Sequence, residues 1–142
     1  MLLMIRRLFL LFVRPTGIRL GVFPTSADGV AAAAVTLTAN AVVWTWGAWA
    51  TIVAAVGVTA DTGIIGLTLE NFVGAPSQGE VGLAIGAAGF EVEIARKPSA
   101  NGYYEFQNPI MALAGNRISA RYRTSTGVAD TVDMKVLTAT GM

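Results

Sequence analysis

The sequence predicts an all-β domain, a β-sandwich of about eight strands carrying an extended N-terminal arm. Three observations lead there. Turn-forming Gly, Pro, Asn and Asp punctuate the chain about every ten residues. Between them, short runs alternate apolar and polar side chains with the period of two that half-buries a strand. No stretch shows the 3.6-residue apolar period of an amphipathic helix. Regular short strands of this kind fit a sandwich, a jelly roll or a barrel. No repeat and no long linker divides the chain, so residues 16–142 read as one domain and residues 1–15 as the arm.

In chain order, residues 18–23 form a strand that ends at Pro24. Ser26-Ala27-Asp28-Gly29 reads as a turn, residues 33–39 alternate, and Asn40 turns the chain. Residues 42–46 and 48–55, rich in Val, Thr and Trp, read as two strands broken at Gly47. Asp61-Thr62-Gly63 reads as a turn, residues 64–70 as a strand with Gly66 inside it, and residues 74–79 as a loop. Residues 81–85 are short and apolar. Over residues 90–94, Phe90, Val92 and Ile94 share one face and Glu91 and Glu93 the other. Asn101-Gly102 is a strong turn pair before a strand over 103–107, and Ala114-Gly115-Asn116 is another turn. Over residues 117–123, Ile118, Ala120 and Tyr122 point one way and Arg117, Ser119, Arg121 and Arg123 the other. Val132, Met134 and Val136 alternate with Asp133 and Lys135 in the last strand.

Charge is scarce. Only 13% of the 142 residues are charged, against about 25% in an average domain, while 54% are hydrophobic. Such a chain cannot cover its surface with charge, so that surface meets either lipid or other protein. Arg6, Arg7, Arg14 and Arg19 fall in the first twenty residues with no acid among them. The remaining six basic residues and all nine acidic ones follow, which makes a basic arm on a mildly acidic body. With no Cys and no His, thiol nucleophiles, imidazole bases and most transition-metal sites are excluded.

The lipid alternative rests on residues 41–58, uncharged and about long enough to span a bilayer as a helix. Against a small membrane protein built there stand the alternation of Val35-Thr36-Leu37-Thr38 and the mid-segment Trp44, Trp46 and Trp49, since membrane Trp concentrates at the two interfaces. The first fifteen residues also fail as a signal peptide. Their apolar stretch over residues 8–13 is shorter than the about 7–15 residues of an h-region, and Arg14-Pro15 follows in place of a small-residue cleavage site.

No motif points to catalysis or to a cofactor. Residues 82–89 are Gly-rich, but their spacing fits neither a dinucleotide fingerprint nor a P-loop, so they read as a strand entering a tight turn. Glu91 and Glu93, about 7 Å apart on one strand face, are more simply a solvated face than a carboxylate pair for hydrolysis. Arg117, Arg121 and Arg123 form a basic stripe, which the sequence pairs with Glu91 and Glu93 rather than with nucleic acid. Trp44 and Trp46 share strand parity, and a bulge at Gly47 would bring Trp49 to the same side. Core packing is the simpler reading of the three indoles. Anchors in a protein interface are the sharper one, because Trp is enriched at binding hot spots.

Three segments carry a resemblance: Gly47-Ala48-Trp49 after an uncharged strand, residues 85–91, and Ala114-Gly115-Asn116-Arg117-Ile118-Ser119-Ala120-Arg121. Over residues 33–138 the chain resembles small virion proteins of tailed bacteriophages, among them jelly-roll cement, or decoration, proteins on the outside of the capsid. The resemblance implies a jelly-roll-like sandwich, no enzymatic activity and no cofactor. It implies docking across neighbouring major capsid protein subunits on the outer surface of the shell, and self-association as a dimer ahead of a trimer. A phage tail, neck or fibre module is the alternative. The interface residues expected are Arg6, Arg7, Phe9, Phe12 and Arg14 of the arm, which is read as a clamp on a neighbour, with Trp44, Trp46 and Trp49 of the body.

Overall fold

A computed structural model of the chain describes residues 18–25, 33–74 and 78–141. Arg6, Arg7, Phe9, Phe12 and Arg14, like the turn read at Ser26 to Gly29, lie outside the described residues. The described residues form nine strands, all paired antiparallel, and one short 3-10 turn, Ala55–Gly57.

Two sheets face each other in a β-sandwich. One holds β1 (Arg19–Phe23), β9 (Thr131–Thr140), β4 (Thr62–Val73) and β7 (Gly102–Ala112) in that order, with β2 (Val35–Thr38) also on β9. The other runs β3 (Ala50–Val53), β8 (Ile118–Thr124), β5 (Gly79–Ile85), β6 (Val92–Pro98). β1 and β2 lie end to end along one edge of β9: Arg19 faces Thr140 and Phe23 faces Val136, then Val35 faces Met134 and Thr38 faces Thr131. They act as one strand interrupted by residues 24–34. Counted so, the pairing is nested, with β1 and β2 on β9, β3 on β8, β4 on β7 and β5 on β6.

Alternation decides which side chains fill the space between the sheets. Val132, Met134 and Val136 of β9, Ile118, Ala120 and Tyr122 of β8, Leu67 and Leu69 of β4 and Val81 and Leu83 of β5 are all fully enclosed. Each large one removed from water stabilises the fold by about 1.5–3 kcal/mol. The odd positions of β9 face outward. There Asp133 accepts hydrogen bonds from the Thr36 hydroxyl and, at 3.0 Å, from the Asn71 amide, while Lys135 lies 3.2 Å from Glu70.

Nested pairing gathers the connections at two ends of the sandwich. One end carries residues 39–49, 99–101 and 125–130, with Gly74 and Gln78. The other carries residues 54–61, 86–91 and 113–117, with the start of β1 and the finish of β9.

Several expectations need correction. Residues 42–46 are a turn and an extended loop rather than a strand, and the strand expected over 48–55 is confined to Ala50–Val53. Thr62 and Gly63 begin β4 instead of turning. Phe90 precedes β6 and is 80% exposed, Val92 at its first position is 63% exposed, and only Ile94 of that trio packs on the core. Phe90 lies in the turn before the strand, its N–H donating to the Ala87 carbonyl at 3.0 Å, and a register shift between Leu83 and Ala84 leaves Ile94 as an extra residue opposite β5. No described helix is long and apolar enough to cross a membrane, and residues 41–58 fold as loop, β3 and 3-10 turn.

Candidate protein interface

The outer face of the four-stranded sheet brings the three tryptophans onto the arginine stripe. On β8, Arg121 and Arg123 point outward two residues apart, about 7 Å, because Ala120 and Tyr122 between and beside them point into the core. On β5, Glu80 faces Arg123 and Gly82 faces Arg121; on β6, Arg96 faces Gly82. The missing side chain at Gly82 leaves room for its neighbours: a Cβ there would lie 3.1 Å from Glu93 and 3.5 Å from the Trp46 ring.

Residues 44–49 run along the other edge of β8 without forming a regular strand. The Trp44 N–H donates to the Thr124 carbonyl at 2.8 Å, the Gly47 N–H donates to the Tyr122 carbonyl at 2.8 Å, and Ala50 then pairs with Ala120. Three residues of this segment are spent on each two of β8, so Trp44, Trp46 and Trp49 all reach the outer side. Trp44 takes the left-handed backbone, φ 54°, to enter this path. Gly47 lets the chain pass β2, since a Cβ there would sit 1.9 Å from the Thr38 carbonyl oxygen. The core reading of the indoles is therefore overturned: Trp44 is exposed, and Trp46 and Trp49 are half-buried on the flank.

Indoles and guanidiniums interleave. Arg123 lies 5.5 Å from the Trp44 ring centre and 4.4 Å from that of Trp46. Arg121 lies 4.5 Å from Trp46 and 4.2 Å from Trp49, and Arg96 reaches Trp46 at 5.5 Å. Each such contact contributes about 0.5–2 kcal/mol, depending on how dry it is. Three glutamates pair with the arginines of this face. Glu80 accepts from Arg123, with Nε at 2.9 Å; Glu93 accepts from Arg121 at 2.8 Å and also from Arg96; Glu91 accepts from Arg117. The stripe was expected to pair with Glu91 and Glu93, and the structure pairs Arg117 with Glu91 and Arg121 with Glu93. Glu80, the partner of Arg123, was not foreseen, because only the β5–β8 register places it there.

The Arg117 and Glu91 side chains are just 16% and 8% exposed, so removing one partner would strand a buried charge at a cost of about 3–5 kcal/mol. Burial of the Glu93 carboxylate opposes its ionisation, but the hydrogen bonds and charges of Arg121 and Arg96 outweigh that and hold its pKa below the ordinary 4.5. The hydrogen bonds of Thr36 and Asn71 do the same for Asp133 on the opposite flank, below 3.8. A depressed carboxylate pKa gives stability that is complete above the unfolded value and lost as pH falls through the folded one. Denaturant midpoints should therefore be flat down to about pH 4.5 and fall below it. Glu93→Gln should flatten part of that fall, and an unchanged acid slope in the variant would remove Glu93 from this account.

Arg96, Arg121 and Arg123 all lie within 5.5 Å of the centre of the Trp46 ring. Glu80, Glu91 and Glu93 are committed to arginines. No group of three or more acidic side chains among the described residues is placed to hold a metal ion. A groove of about 370 Å³ runs between β2 and residues 47–50, lined by Thr36, Thr38, Asn40, Trp49 and five small residues, none of them ionisable. No protein-family model matches the chain, and no curated protein sequence is significantly similar to it.

Proposed function

We propose that the protein is a structural subunit of a virion, a cement or decoration protein that docks on the outside of a capsid shell and reinforces it. The observation that carries this reading is the interleaved stack of Trp44, Arg123, Trp46, Arg121 and Trp49 on the flank of a rigid sandwich. Trp and Arg are the residue types most enriched at binding hot spots. Here they are ordered before any partner arrives, which lowers the entropy cost of docking. Their charges are already paired with Glu80 and Glu93, so a partner surface closing over them would leave no cation without a counter-ion.

The nested strand pairing supports the jelly-roll form of the sandwich: an eight-strand hairpin folded across two sheets, with β1 and β2 counted as one strand. In a shell, many copies bind a repeating lattice, so modest individual contacts suffice. The partner in this reading is the major capsid protein, joined by further copies of the chain itself.

The reading is tested on purified shells. Trp46→Ala should keep the β-type circular dichroism spectrum, because Trp46 lies outside the core, and should weaken shell binding by about 30-fold, the effect of a hot spot worth about 2 kcal/mol. Unchanged binding would remove the flank from the interface. Presence in a few copies per particle, rather than on most capsid positions, would shift the reading to a tail, neck or fibre module.

A further inference from the structure

The two ends of the sandwich differ from its flanks. The flanks carry all but one of the ion pairs among the described residues, whereas the end loops are almost free of exposed charge. At the first end, residues 39–49 and 99–101 contain no charged side chain. Asp130 is buried, with its carboxylate accepting from the Thr126 hydroxyl. At the second end, Glu91 and Arg117 neutralise each other, leaving Arg19 and Asp61 as the exposed charges, and Asp61 accepts a hydrogen bond from the Ala114 N–H at 2.9 Å.

Apolar side chains stand outward in place of charge. The first end presents Val42, Val43 and Val128, with Val43 packed beside Gly127. The second presents Val56, Phe90, Leu113 and Met111, of which Val56 is 88% exposed. Loops normally take polar residues, and apolar patches rimmed by polar groups mark contact surfaces.

We propose that these unlike ends are contact faces for a second copy of the chain, stacked head to tail so that the first end of one molecule covers the second end of the next. The same strands finish at both ends, so the two faces match in cross-section by construction. Strands about 4.8 Å apart and sheets about 10 Å apart, with side chains, give an end roughly 20 by 25 Å. Its corrugated surface is on the order of the 800 Å² per partner of a standard interface. A symmetric dimer joining like ends would leave two apolar ends in water. Head-to-tail contact covers every end but the terminal ones, and it builds a column or, if the rotation closes, a ring. This goes beyond the shell-docking reading, which uses the flank, and either can fail without the other.

Sedimentation velocity of the full chain over a range of concentrations tests it. The wild type should grow past the dimer as concentration rises. Val43→Glu and Phe90→Glu each alter one exposed end residue and should keep the wild-type circular dichroism melt. Each alone should stay monomeric, because one competent end finds no complement. An equimolar mixture should give a heterodimer and nothing larger, since the intact second end of Val43→Glu fits the intact first end of Phe90→Glu. A mixture that stays monomeric overturns the proposal. So does either variant associating as the wild type does, which would place the contact in residues 1–17 or between like ends. A wild type that is monomeric throughout yet binds shells overturns this inference and leaves the shell reading standing.

Discussion

Ile118→Asp should abolish cooperative folding. Ile118 is wholly enclosed, and it sits where three strands meet, paired with Val53 on β3 and Ile85 on β5. The substitution forfeits the about 1.5–3 kcal/mol from burying the isoleucine. It then places a carboxyl among Ile85, Val81 and Leu83 with no basic side chain on the core side of β8, which costs several kcal/mol more. Together these approach the about 5–15 kcal/mol by which a whole domain is stable. Circular dichroism with denaturant should show no unfolding transition, and the protein should collect in the insoluble fraction. Arg121→Ala, three positions on and facing outward, should retain a transition at a lower midpoint. If Ile118→Asp melts like the wild type, the inward face of β8 is not Ile118, Ala120 and Tyr122.

Gly47→Val should be the most damaging single change on the candidate interface. Even the first side-chain atom would lie 1.9 Å from the Thr38 carbonyl oxygen and 3.3 Å from the Tyr122 carbonyl oxygen, both backbone atoms that cannot swing aside. The segment must lift from β8, breaking the Gly47 N–H bond to Tyr122 and pulling Trp46 and Trp49 away from Arg121. An overpacked site costs about 1–3 kcal/mol, and the lost cation–π contacts add about 0.5–2 kcal/mol each. The expected result is a lower melting temperature together with a loss of near-ultraviolet tryptophan dichroism and of shell binding. Retention of the tryptophan signal would mean that the path of residues 44–49 does not depend on the missing Cβ.

The two halves of the chain were not equally legible. β8 and β9 could be read from sequence because one face of each is buried and the other solvated, so the period of two is written in the residue types: Ile118, Ala120 and Tyr122 against the arginines, and Val132, Met134 and Val136 against Asp133 and Lys135. β4 was legible for a different reason, a long run of apolar and small residues. Residues 42–46 misled because their composition is that of a strand, while their path is set by hydrogen bonds to Thr124 and Tyr122, some eighty residues away in sequence. Phe90 misled because it closes the turn after β5, its N–H donating to the Ala87 carbonyl, so that the strand begins only at Val92. The arginine stripe and its glutamates were visible as residue types. That indoles would slot between the guanidiniums was not, although the Gly47 break already hinted that Trp49 would join Trp44 and Trp46 on one side.

Nested pairing also orders the folding of the chain in time. The innermost pair, β5 with β6, closes through the short loop of residues 86–91, whereas the outermost joins Arg19 to Thr140. Loop closure costs more as the loop lengthens, so hairpins form from the middle outward and each closure shortens the effective loop of the next. Sandwiches with so many distant pairings fold over milliseconds to seconds, slowly for their size. During synthesis the consequence is sharper. Among the described strands, β1 and β2 are made before the other seven, yet both pair with β9, which is made after them all. Val22 of β1 and Leu37 of β2 must wait for β9, and the nascent protein is most prone to aggregation during that wait.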